Sequence, residues 1–203
     1  MRLYRLRFST NVERVTLALA HKGLQVDSIW IEPDDRSLIE RISGQRLVPV
    51  LENEGRVVVD STAILRYLEQ HYPEPPLYPR AEARRAEMEL YIDWFNRVVK
   101  RPPNALEAEL RRGGAHGSRV DPLAAEMQEN LDRHEALLAG RDYLFGDAFS
   151  AADCAAFPFL KYALAREPDD DELFHRILSD YQSVEGRPRL EAWIRRVDAR
   201  PRA

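Results

Sequence analysis

An α/β unit followed by an all-helical unit is the architecture this 203-residue sequence predicts, and three observations predict it. Over the first 80 residues short β-rich runs alternate with amphipathic segments, the grammar of an α/β fold. HYPEPPLYPR (71–80) then places four prolines within residues 73–79, too stiff for a helix and too short for a fold of its own. Beyond it every strong pattern has the helical period.

Each element follows from local chemistry. Residues 2–6 and 26–31 read as strands, separated by a helix that starts at Thr10 and stops at Lys22-Gly23, glycine being a usual helix stop. A second helix over about 35–42 ends at Gly44, and VPVLENEGRVVV (48–59) reads as a hairpin around Asn53-Glu54-Gly55. Asp60-Ser61 opens a third helix carrying Ile64, Leu65, Tyr67 and Leu68 at helical spacing. The order is βαβαββα. In the second half, helices are expected over 81–101, 121–139 and 187–199, and FSAAD gives a further helix with Ser150 as N-cap, Asp153 at N3 and Pro158 as a kink. RRGGAHGS (111–118) breaks two helices; its glycines follow no strand, so it is a poor phosphate loop.

Composition excludes several functions. The chain carries 30 basic and 34 acidic residues, a net charge of −4, and the two signs are interspersed, so no basic face draws it to nucleic acid. Cys154 is the single cysteine, which excludes a disulfide framework and any structural zinc site needing two thiolates. The five histidines (21, 71, 116, 134 and 175) have no paired ligand spacing, and no metal is expected. No run approaches ~18 apolar residues, and charges interrupt the N-terminus where a signal peptide needs its apolar run. The expectation is a cytoplasmic protein with no membrane partner.

Three motifs sharpen the outline: Ser9-Thr10-Asn11 before the first helix, Val48-Pro49-Val50-Leu51 at a strand start, and Asp60-Ser61 before the third helix. With YLFGDAFSAADCAAFPF in the second half, their order and spacing resemble the glutathione S-transferase superfamily over nearly the whole chain. The resemblance implies a thioredoxin-like glutathione-binding domain over residues 1–75, a linker over 76–80 and an all-helical domain over 81–203 that contributes the electrophile pocket. It also implies a homodimer.

What the resemblance implies for the site can be stated residue by residue. A cis bond before Pro49 would turn the main chain of Val48 outward to pair with the cysteinyl part of glutathione as one more strand would. Ser61 would take the γ-glutamyl carboxylate at a helix N-terminus, with Asp60 on the ammonium. Many relatives carry lysine or glutamine two residues before the proline for the glycyl carboxylate; here that position is Leu47, and Arg46 or Gln45 would have to reach instead. Thr10-x-x-Glu13 has the form of a capping box, making Thr10 the expected N-cap and leaving Ser9 just outside the helix.

Alignment on Arg14-Val15 puts Ser9 at the catalytic position. A serine hydroxyl is too weak a base to remove the thiol proton, so Ser9 would act as a donor that stabilises the thiolate, the nucleophilic form. Tyr4 is the rival donor, one residue out of register. Trp94, Arg97 and Asn11 are the expected electrophile-pocket residues, an arginine beside aromatic surface suiting a flat anionic or polar electrophile. The leading expectation is conjugation of glutathione to a small hydrophobic or polar-aromatic electrophile. The alternatives are a non-catalytic ligand- or partner-binding protein and a glutathione-dependent isomerase.

Overall fold

The computed structural model describes residues 1–112 and 120–203; the core of the break expected at 111–118, with His116, lies outside them. Two compact units form: Met1–Glu82 together with Arg200–Ala203, and Ala83–Ala199.

In the first unit, β1 (Arg2–Arg5), α1 (Thr10–His21), β2 (Asp27–Trp30), α2 (Ser37–Ser43), β3 (Val50–Asn53), β4 (Arg56–Val59) and α3 (Ser61–His71) follow the expected βαβαββα order. The sheet runs β2-β1-β3-β4, with β1 parallel to β2 and antiparallel to β3, and β3 antiparallel to β4. Glu54 and Gly55 both take positive φ (51° and 79°), the two left-handed steps that match a two-residue hairpin to the twist of its strands. Tyr4, Ile31, Ile39 and Val50 form one buried cluster between sheet and α2.

The proline-rich segment is pinned to this unit. Lys22 Nζ meets Glu69 Oε2 at 2.8 Å and the carbonyl oxygens of Tyr72 and Pro75 at 2.6 and 3.0 Å. Glu69 in turn accepts from the N–H groups of Leu77 and Tyr78, both buried. A buried cation and a buried carboxylate thus satisfy each other and a segment with few donors of its own.

The second unit comprises α4 (Glu82–Trp94), α5 (Arg101–Arg111), α6 (Val120–Leu137), α7 (Ala151–Leu160), α8 (Leu173–Tyr181) and α9 (Pro188–Asp198). The single helix expected over 81–101 is divided: a π turn spans Phe95–Val99, closed by the Lys100 N–H on the Phe95 oxygen at 3.1 Å, and Pro102 and Pro103 then occupy the first turn of α5. Proline costs nothing there because those N–H groups have no partner inside a helix anyway. Helix α7 is buried along its whole length, Pro158 included, and is the core of this unit. At its N-terminus Asp153 accepts from the Ser150 N–H, the Ser150 hydroxyl, the Leu144 N–H and the Trp193 indole.

Candidate active site

The strand register brings the three expected motifs to one end of the sheet. Tyr4 pairs with Val50 and Val50 with Val59, so the chain leaving β1 toward Ser9, the chain entering β3 at Val48-Pro49 and the chain leaving β4 at Asp60-Ser61 lie side by side. Adjacent strands are about 4.8 Å apart, so the three stations span roughly 10 Å, the length of an extended tripeptide.

Helix α1 starts at Thr10 as expected, but its N-cap is not the expected residue. Ser9, not Thr10, is the N-cap: its Oγ accepts from the Val12 N–H at 3.4 Å and its carbonyl from the Glu13 N–H at 3.0 Å. The Thr10–Glu13 capping box does not form. Glu13 is drawn instead to Arg202, at 2.9 Å, a partner 189 residues away. The consequence favours chemistry, because the serine oxygen accepts from the helix and its own O–H remains to be donated. Phe8, just before it, is held in the left-handed region (φ 61°) with the Arg7 guanidinium 4.5 Å from its ring centre.

Tyr4 is committed elsewhere. Its ring is buried in the α2-side cluster and its hydroxyl donates to Glu52 Oε2 at 2.7 Å. Burial, and then the neighbouring Glu52 carboxylate, raise its pKa.

The Val48–Pro49 bond is cis, and among the described residues the N–H and C=O of Val48 carry no hydrogen bond. At the next station Asp60 adopts φ 71° and caps α3, Oδ1 accepting from the Ala63 N–H at 2.9 Å. Ser61 opens the helix at 4 % exposure. Beneath it lies a residue that the sequence reading missed: Arg14, 1 % exposed, donates from Nη1 to Ser61 Oγ at 3.4 Å. Its only signal was a charge among the apolar positions of α1. With that donor supplied by the protein, the Ser61 hydroxyl can turn its proton toward an anion.

The remaining candidates are placed less favourably. Gln45 closes on the main chain of Leu47, and Arg46 pairs with Glu40 at 3.0 Å. Asn11 sits half-buried in the first turn of α1. In the helical unit Trp94 packs on Tyr91 and His134, ring centres 5.7 and 5.6 Å apart, while the Arg97 side chain is 78 % exposed and held by Asp93 at 2.8 Å. The Trp94 indole thus faces rings of its own unit while the Arg97 guanidinium faces solvent. His134 is buried beneath Trp94, with Nδ1 on the Asn130 oxygen at 2.6 Å and Nε2 on the Tyr91 hydroxyl at 2.8 Å. Burial lowers its pKa to about 4.

Comparison with known proteins decides what this arrangement belongs to. The family description "Glutathione S-transferase, N-terminal domain" matches residues 3–76, and "Glutathione S-transferase, C-terminal domain" matches residues 80–196. The chain belongs to the glutathione S-transferase family. Glutathione S-transferase 3 of Zea mays is 30 % identical over 220 residues, covering 99 % of this chain and 90 % of that protein. Protein LigF of Sphingobium sp. (strain NBRC 103272 / SYK-6) is 25 % identical over 240 residues, covering 99 % and 90 %. The fold matches the crystal structure of beta-etherase LigF with a TM-score of 0.80 (24 % identity, 98 % of this chain and 95 % of that one). It also matches maleyl pyruvate isomerase, a bacterial zeta-class glutathione S-transferase, with a TM-score of 0.75 (24 % identity, 97 % and 96 %). Membership brings glutathione-dependent enzyme chemistry and a thioredoxin-like first domain; among the described residues no helix is long and apolar enough to cross a membrane.

Proposed function

We propose that the protein is a glutathione transferase in which Ser9 stabilises the glutathione thiolate for attack on a carbon electrophile. The observation that supports this most is Ser9 at the N-cap of α1, its oxygen accepting from Val12 and its O–H left to donate. A hydrogen bond to a charged acceptor contributes about 1.5–3 kcal/mol and a helix N-terminus about 0.3–1 kcal/mol. Together they would lower a thiol pKa from about 8.5 to roughly 6–7.5, enough for a large thiolate fraction at neutral pH.

In this reading the main chain of Val48, ahead of Pro49, pairs with the cysteinyl residue, the Ser61 hydroxyl and N–H hold the γ-glutamyl carboxylate, and Asp60 faces the ammonium. The thiol proton leaves to solvent. The sulfur then forms a bond to carbon, either displacing a leaving group that departs with its electron pair or adding to an activated double bond whose other carbon takes up a proton. Since the relative LigF is named a beta-etherase, ethers stand first in the electrophile panel. The homodimer, the cytoplasmic location, the division at residues 75–81 and the roles of Trp94, Arg97 and Asn11 belong to the same proposal.

The test is thiol consumption across an electrophile panel by the intact protein, Ser9→Ala and Tyr4→Phe. Loss of turnover in Ser9→Ala alone is expected. Turnover by none of the electrophiles would point to a carrier, and double-bond isomerisation without net thiol consumption to an isomerase.

A further inference from the structure

The first turn of α1 has two ways to cap itself, and they differ in what they leave for a ligand. With Ser9 as N-cap, the residue three positions on is Val12, whose side chain returns no hydrogen bond to the cap. With Thr10 as N-cap, that residue is Glu13, whose carboxylate would close the reciprocal box and leave Ser9 outside the helix. Taken locally, Thr10 has one bond more to offer, yet the helix forms on Ser9.

The local preference is overridden by the segment Arg200–Ala203, which belongs to the same compact unit. Its main chain is fixed on α1 and β1: the Ala203 N–H donates to the Thr16 oxygen at 3.2 Å, and Arg5 Nη1 donates to the Ala203 oxygen at 2.9 Å. Arg202 is thereby set beside the first turn of α1, where Nη2 and Nε donate to Glu13 Oε1 at 2.9 and 3.3 Å. Its Nη1 is braced on the Arg200 oxygen at 2.6 Å. The two side chains are 25 % and 16 % exposed, so water screens this pair less than an open surface pair. The neighbouring charged groups are Arg5 on the Ser28 hydroxyl, Arg14 on Ser61, and Arg200, which donates to His21 Nδ1 at 3.0 Å.

We infer, resting on the thiol site proposed above, that Arg202 is a positioning residue for Ser9. By holding the Glu13 carboxylate it keeps the cap from passing to Thr10, and it offsets a negative charge that would otherwise stand within a turn of the sulfur anion. Both effects act in one direction. Without the guanidinium the hydroxyl leaves the cap, the carboxylate opposes the thiolate, and the thiol holds its proton to higher pH.

The test is the ultraviolet absorbance of the bound thiolate followed against pH, with glutathione as the probe, alongside turnover. Arg202→Gln is expected to raise the apparent thiol pKa by about 0.5 or more and to lower turnover about threefold at neutral pH, the difference closing in alkaline buffer. Glu13→Ala added to Arg202→Gln removes the rival box and its charge together, and is expected to return the pKa to that of the unsubstituted protein. Arg200→Gln, which loosens the same segment at the far end of α1, is expected to leave the pKa unchanged. A pKa that does not move in Arg202→Gln, that Glu13→Ala does not restore, or that moves as far in Arg200→Gln would each overturn the inference while leaving the thiol site intact. An unmoved pKa in Ser9→Ala would remove the thiol site as well.

Discussion

Two helix N-termini in this molecule carry the same pair of residue types and do different things with them. At α7, Ser150 and Asp153 are buried and saturated: the two Asp153 oxygens take hydrogen bonds from Leu144, Ser150 and Trp193. At α3, Asp60 is exposed with one oxygen on Ala63, and Ser61 meets only Arg14 among the described residues. A saturated N-terminus holds a fold together, whereas one with capacity to spare is available to a ligand. Asp-Ser chemistry alone does not separate the two; the count of satisfied donors and acceptors does.

The contrast can be broken in order of size. Asp153→Ala strands four buried donors and should lower the unfolding free energy by about 3–5 kcal/mol in denaturant titration, while the activity of the molecules that remain folded stays close to normal. Acid should act nearby in the same unit. The His134 pKa of about 4 lies below its unfolded value near 6.5, so the unfolded chain takes the proton first. Its contribution is intact above about pH 6.5 and is lost as pH falls toward 4, for a total of about 3 kcal/mol at ~1.36 kcal/mol per pH unit. His134→Gln should flatten that slope between pH 6.5 and 5 in stability measurements made at successive pH values.

The end proposed to hold the thiol should respond in kinetics and much less in stability. Ser9→Ala is expected to lower turnover about 10- to 100-fold, the loss of one charge-assisted hydrogen bond. Ser61→Ala should raise the glutathione KM about 5- to 20-fold with a stability change below about 1 kcal/mol. Smallest is Tyr4→Phe, expected to cost about 1 kcal/mol through the bond to Glu52 and to leave turnover unchanged.

The first unit was legible because its signals are local. Glycine at 44 and at 55 takes the positive φ that a helix stop and a tight hairpin require, and the alternation of β-rich runs with amphipathic segments needs no distant partner. What escaped was set at long range. Thr10-x-x-Glu13 satisfies the capping-box pattern, yet Arg202 draws Glu13 away and Ser9 takes the cap. Arg14 served the sequence reading only as an alignment point, because its partner Ser61 lies 47 residues on. The helix expected over 81–101 stops short of Pro102-Pro103, and this pair opens a further helix because the missing N–H suits its first turn. Helix α8 escaped although Leu173, Phe174, Ile177, Leu178 and Tyr181 recur at helical spacing; it is short, and the acidic run before it supplies no side-chain cap.

Contact between the Trp94 indole and the His134 imidazole, tilted at 31° with ring centres 5.6 Å apart, gives the helical unit an optical gauge. A neutral imidazole leaves indole emission bright and an imidazolium quenches it, so light from this tryptophan should persist through mildly acidic buffer and dim only near the point where the buried ring finally accepts its proton.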